Sequence, residues 1–133
     1  MRVIVDTSVW SQFLRRQKQP DSPSLEVLRQ AIREKNVQML GIIRQELLSG
    51  IRNESQFQKI GQILASFPDL LADSDDHTEA ARFFNRCRRK GIQGSPVDFL
   101  ICAQAYRNRM TILTDDNDFR EYSVHLPISV MEI

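Results

Sequence analysis

Acidic side chains standing directly after apolar runs are the residues of this sequence best suited to do chemistry. Asp6 follows Val3-Ile4-Val5 at once, and Thr114-Asp115-Asp116-Asn117-Asp118 follows Thr111-Ile112-Leu113. Between them stand Glu46, which shares a helical stripe with Ile43, Leu47 and Gly50, and Asp98, the only charge from Val97 to Tyr106. An acid on an apolar face must be capped, paired or bound to a cation, because burying a bare carboxylate is costly. Oxygen donors with no His or Cys beside them select Mg2+ or Mn2+ over Zn2+. Two such ions about 4 Å apart can clamp an in-line displacement at a phosphodiester, with water as nucleophile.

Each acid also has an ordinary use. Asp6 could cap a helix, although Thr7 and Ser8 would serve equally well. Glu46 could pair with Arg44 or Arg52, and Asp98 could close a capping box opened by Ser95-Pro96. The acids after Leu113 could form a solvated turn. Asp73-Ser74-Asp75-Asp76 looks similar but precedes a helix, whose dipole already accounts for it.

The elements expected around these residues alternate. Strands are expected at Arg2–Val5, Val37–Leu40, Leu70–Ala72 (weakly), Met110–Leu113 and Ile128–Met131. Helices are expected from about Val9 to Arg16, through Leu25, Leu28 and Ile32 to Lys35, and through Glu46 to near Gly50. Phe57, Ile60, Ile63, Leu64 and Phe67 mark a further helix stopped by Pro68, and Ala80 to Cys87 one that ends at Gly91. The last expected helix runs from Ser95-Pro96 to about Asn108, and Gln19–Pro23 is expected as a loop. Strands apolar throughout and alternating with helices predict a parallel sheet covered on both faces. Ligands of such sheets bind beyond the carboxyl ends of the strands. Asp6, Asp116 and Asp118 are expected there, and Glu46 and Asp98 on helices that start there.

The chain has 133 residues, 41% hydrophobic and 26% charged, which predicts one domain over 1–133 with an ordinary core. No apolar run approaches the roughly 18 residues that span a bilayer, and the short run before Asp6 is no signal sequence, so a cytoplasmic protein away from membranes is expected. Cys87 and Cys102 lack metal-ligand spacing and are expected as small core hydrophobes, in keeping with a reducing compartment. His77 and His125 are expected at the surface. The net charge is +1, but if several acids occupy one site the remaining surface is cationic and suits a polyanion.

Four ordered motifs make the chain recognisable: Val5-Asp6-Thr7-Ser8-Val9-Trp10, Glu46-Leu47-Leu48-x-Gly50, Pro96-x-Asp98-x-x-Ile101-x-Ala103 and Ile112-Leu113-Thr114-x-Asp116-x-Asp118-Phe119. Together they resemble PIN-domain ribonucleases, most closely the VapC-type toxins of bacterial toxin–antitoxin pairs, over essentially the whole chain. The resemblance implies a three-layer α/β/α fold with a mostly parallel sheet of about five strands. It implies Mg2+- or Mn2+-dependent endonucleolytic cleavage of RNA by metal-activated water. Asp6, Glu46, Asp98 and Asp116 match the catalytic, metal-holding acids, Asp118 a commonly acidic position beside the fourth, and Thr7, Ser8 and Thr114 supporting hydroxyls. The implied partners are RNA, a small VapB-type antitoxin, and a second copy of the chain in a homodimer that becomes a heterotetramer or larger with antitoxin.

Arg15, Arg16, Lys18, Arg44, Arg52, Arg86, Arg88, Arg89 and Lys90 are candidate RNA contacts. Trp10 and Phe13 are candidates for a dimer or antitoxin surface, with core packing the better use for Phe13. Other functions fit less of the sequence. The alternatives are an inactive PIN-like binding module and a PIN nuclease of RNA processing without an antitoxin. A phosphotransfer domain is disfavoured by Asp6-Thr7-Ser8, since dehalogenase-type phosphatases place Asp-x-Asp there and receiver domains paired acids.

Overall fold

The computed structural model describes residues 2–15 and 22–133. In chain order the elements are β1 (Val3–Val5), α1 (Thr7–Leu14), α2 (Pro23–Arg33), β2 (Val37–Leu40), α3 (Gly41–Leu48) and α4 (Glu54–Leu64). They continue with β3 (Asp69–Leu70), α5 (Ser74–Arg89), α6 (Pro96–Arg107), β4 (Thr111–Leu113), α7 (Asn117–His125) and β5 (Ser129–Val130).

The strands form one sheet in the order β3-β2-β1-β4-β5, every pair parallel. Val3 is in register with Val37 on one side and Thr111 on the other, and Val5 with Leu113. The β1–β2 and β2–β3 connections step one way across the sheet, and the two later ones step back. Right-handed crossovers therefore place α1–α4 on one face and α5–α7 on the other. Helix contacts agree: α1 packs on α2 and α3, while α5 packs on α6 and touches α7. The result is the three-layer α/β/α arrangement. Strand order reverses between β1 and β4, so their carboxyl ends open onto one crevice.

Both central strands are buried at every residue, because helices cover both faces. On α6 the buried face includes Phe99, Ile101, Cys102, Ala103, Gln104 and Ala105. Cys87 and Cys102 are fully buried, as small hydrophobes would be.

Several boundaries differ from expectation. β3 is Asp69–Leu70 rather than Leu70–Ala72, and Leu71 is 76% exposed, because the chain leaves the sheet to enter the Asp73 cap of α5. α1 starts at Thr7 and ends at Leu14, so it begins directly on Asp6; Arg16 and Lys18, with Gln19, Pro20 and Asp21 of the expected loop, lie outside the described residues. Ser22 and Pro23 are not loop but the N-cap and first turn of α2, where the Ser22 side chain accepts from the Leu25 N–H. On α4 only Ile60 and Leu64 are buried, while Phe57 and Ile63 face solvent. The helix α7 was absent from the expected elements.

Trp10 is fully buried, which removes it as a docking surface. Its ring meets Phe13 and Phe67 edge-on at 5.8 and 5.1 Å. Burying so large a ring outweighs leaving its Nε1–H without a hydrogen-bond partner among the described residues.

Candidate active site

Asp6 stands at the N-cap position of α1, yet its carboxylate makes no capping bond. It is instead gripped by hydroxyls. Thr114 Oγ1 donates to Asp6 Oδ2 at 2.8 Å, Ser8 Oγ to the same oxygen at 3.0 Å, and Thr7 Oγ1 to Oδ1 at 3.4 Å. Thr114 Oγ1 also accepts from the Asp116 N–H at 2.9 Å, so one hydroxyl joins the ends of β1 and β4. Asp6 is thereby buried while one oxygen stays lightly engaged.

Asp116 caps α7, accepting the Asp118 N–H on Oδ1 at 2.9 Å. Asp115 points elsewhere: its Oδ2 accepts from Gln12 at 2.5 Å and Ser24 at 2.6 Å, tying α1 and α2 to the β4 loop.

Asp98 lies in the first turn of α6, whose N-cap Ser95 accepts the Asp98 N–H at 3.1 Å. The expected capping box is only half made there. The Asp98 carboxylate turns to α7, where Tyr122 donates its hydroxyl to Oδ2 at 2.7 Å. The reciprocal box belongs instead to Asp73 and Asp76 at the start of α5, with Arg107 bonded to both. That is the structural role expected for this cluster.

Glu46 is exposed rather than buried in an apolar stripe, because α3 turns that edge toward the crevice. Arg44, its expected partner, is committed to Asp69 and to the carbonyls of Leu64 and Phe67.

Electrostatics bring the acids together. Partial burial and then the charges of Asp6 and Asp98 push the Glu46 carboxyl above its ordinary range. Asp98 is also pushed up, chiefly by burial; hydrogen bonds from Tyr122 and Ser95 oppose this, and the charges of Asp6 and Asp116 add to it. Asp6, Glu46, Asp98 and Asp116 thus form one linked set across both central strand ends. None of the four has an ion-pair partner among the described residues. Asp118 stands outside the set, exposed on α7, with its charge felt by Tyr122.

Negative charge without a compensating cation, offered by oxygen donors alone, fits a hard divalent ion. Among the described residues no three Asp, Glu, His or Cys side chains stand close enough together to hold a metal ion between them. The fit is therefore to an ion that keeps several waters and takes one or two carboxylates, as Mg2+ does.

The model of the PIN domain matches residues 3–124. The chain belongs to the PIN-domain family. Asp6 and Asp116 follow β1 and β4, the strands between which this PIN domain's sheet reverses its order. Solved structures share its fold. A chain of FitAcB from Neisseria gonorrhoeae is 20% identical with a TM-score of 0.76, over 98% of this chain and 96% of that one. VapBC2 from Rickettsia felis, bound to a DNA fragment from its promoter, is 18% identical with a TM-score of 0.75, covering 99% and 98%. VapC20 from Mycobacterium tuberculosis, described as a sarcin-ricin loop cleaving toxin, is 15% identical with a TM-score of 0.67, covering 90% and 93%. No curated protein matches the sequence.

Two residues of the PIN domain's site were not foreseen. Tyr122 is fully buried, and its hydroxyl holds Asp98. Gly94 makes room for it: a Cβ there would collide with the Tyr122 hydroxyl and lie 2.8 Å from the Phe99 ring. The available signal was the pair Phe119 and Tyr122, spaced by three residues behind a possible Asp116 cap.

Proposed function

We propose that this PIN domain is a divalent-metal-dependent RNA endonuclease and acts as the toxin of a toxin–antitoxin pair in the cytoplasm. The observation that carries the reading is the set Asp6, Glu46, Asp98 and Asp116: the charges of Asp6 and Asp98 act on Glu46, those of Asp6 and Asp116 act on Asp98, and none of the four has a cationic partner among the described residues. These four would hold Mg2+ or Mn2+, one or two of them directly and the others through its waters, with Asp118 as a neighbouring oxygen donor. A bound ion would lower the pKa of water and offset charge developing on the phosphate oxygens.

The protein's part is placement. Ser8 and Thr114 keep Asp6 in one rotamer, and Tyr122 does the same for Asp98, so both carboxylates meet the ion already oriented. Glu46, open to solvent, orients the attacking water and takes its proton. RNA as the substrate is supported by the likeness in fold to a sarcin-ricin loop cleaving toxin. An antitoxin partner is supported by the likeness to chains from VapBC complexes, two of them bound to DNA. A homodimer, enlarged by the antitoxin, is part of the same proposal.

The test is cleavage of end-labelled cellular RNA by the purified chain in Mg2+ or Mn2+. Discrete cuts are expected that vanish with EDTA and in Asp98→Asn protein of unchanged circular dichroism. Undiminished cleavage in either case overturns the mechanism. Induced expression is expected to arrest growth with the parent chain and not with Asp98→Asn; equal growth overturns the toxin assignment.

A further inference from the structure

The acid cluster repels the very polyanion it is proposed to cut, so phosphates must be held from its flanks. A groove borders it on one face of the sheet, and a second cavity lies behind it on the other. On the α1–α4 face, a groove of about 610 Å3 includes Thr7, Glu46, Ser11, Ser49, Gln56 and Arg15. Among the described residues Arg15 is the one cation lining it, and it has no carboxylate partner among them. On the α5–α7 face, a smaller cavity of about 190 Å3 lies among Phe84, Arg88, Ile92, Gln93, Gly94 and Phe99. The Tyr122 side chain stands between it and Asp98: Gly94, in its lining, abuts the Tyr122 hydroxyl that bonds the Asp98 carboxylate.

The smaller cavity has the chemistry of a nucleobase site. The Arg88 guanidinium stands 5.9 Å from the Phe84 ring centroid, and Phe84 packs edge-on against Phe99 at 5.6 Å. An aromatic face, a planar cation and the exposed Gln93 amide can stack on and hydrogen-bond a base while the cation meets its phosphate. Arg44, by contrast, is held by Asp69.

We propose that single-stranded RNA crosses the acid cluster from the Arg15 groove to the Arg88–Phe84 cavity, with one arginine on each side of the scissile phosphate. This rests on the nuclease reading and adds which residues grip the strand. A base is stacked beside Phe84, and the strand must be unpaired to offer it.

The probe is a fluorescein-labelled twelve-nucleotide single-stranded RNA of mixed sequence, bound to the full chain carrying Asp6→Asn so that it is not cut. Arg15→Gln and Arg88→Gln, made in that background, are each expected to weaken binding at least about fivefold and to multiply when combined. Each is also expected to flatten the slope of log Kd against log salt by about 0.7, the value for one lost contact to a single strand. Arg33→Gln, on α2, is expected to change neither. Phe84→Leu is expected to weaken binding of the RNA but not of an abasic strand of equal length. Unchanged RNA affinity in the Arg15→Gln, Arg88→Gln double variant overturns the proposal, including when that variant loses a protein partner instead. In that case Asp98→Asn still abolishes cleavage; if Asp98→Asn cuts RNA normally, it is the nuclease reading that fails.

Discussion

The Tyr122 hydroxyl donates a 2.7 Å hydrogen bond to Asp98 Oδ2, linking the helix that follows β4 to the carboxylate at the start of α6. The bond holds the Asp98 carboxylate in one rotamer. Such support is commonly worth 10–100-fold in metal affinity. Tyr122→Phe should therefore weaken Mn2+ binding by about tenfold or more, measured by calorimetry. Its stability to urea should fall by only about 0.5–1.5 kcal/mol, the net worth of one hydrogen bond.

Gly94 should tolerate no side chain. In Gly94→Ala the new methyl group meets the Tyr122 hydroxyl and the Phe99 ring, and the ring cannot retreat from a packed core. A loss of about 1–3 kcal/mol is expected from overpacking. In the double variant with Tyr122→Phe the loss should be smaller, which urea titrations of the four proteins would measure.

Glu46 predicts a pH dependence of the metal-free protein. Its folded pKa is raised above the ordinary 4.5, so the fold favours the neutral acid. That contribution is fully present below the unfolded pKa and is lost as pH rises through the folded value. Glu46→Gln in EDTA should therefore be more stable than the parent at pH 7, and the difference should close near pH 4. The charge also sits near the carboxyl end of α3, where the helix dipole opposes it. Urea titrations at the two pH values check this.

Asp76 and Arg107 should matter for stability and not for metal. Asp76 is 3% exposed and lies 2.7 Å from the Arg107 guanidinium. Arg107→Gln strands a buried carboxylate, at a cost of about 1–3 kcal/mol. Mn2+ affinity of the folded variant should match the parent.

What the sequence revealed was local. The run Val3-Ile4-Val5 ending at Asp6, and Thr111-Ile112-Leu113 ending at Thr114, signal buried strands with polar ends, and both lie at the sheet's reversal. Asp98 stands out because α6 is otherwise apolar. What stayed hidden depends on distant partners. Trp10 is covered by Phe67, from the far side of α4, and no pattern around Trp10 announces that. The exposure of Glu46 follows from how α3 leaves β2, not from its stripe. α7 has only Phe119 and Tyr122 fully buried, too few for periodicity to reveal a helix, and Tyr122's role needs the clearance at Gly94.

Calorimetric titration of Mn2+ into the metal-free protein addresses the shared carboxylate site most directly. The parent should bind, and Asp6→Asn, Glu46→Gln, Asp98→Asn and Asp116→Asn should each lose about tenfold or more in affinity, while Asp75→Asn on α5 should not. Equal binding by all five variants and the parent, or none by the parent, would contradict a divalent-ion site built from these four acids.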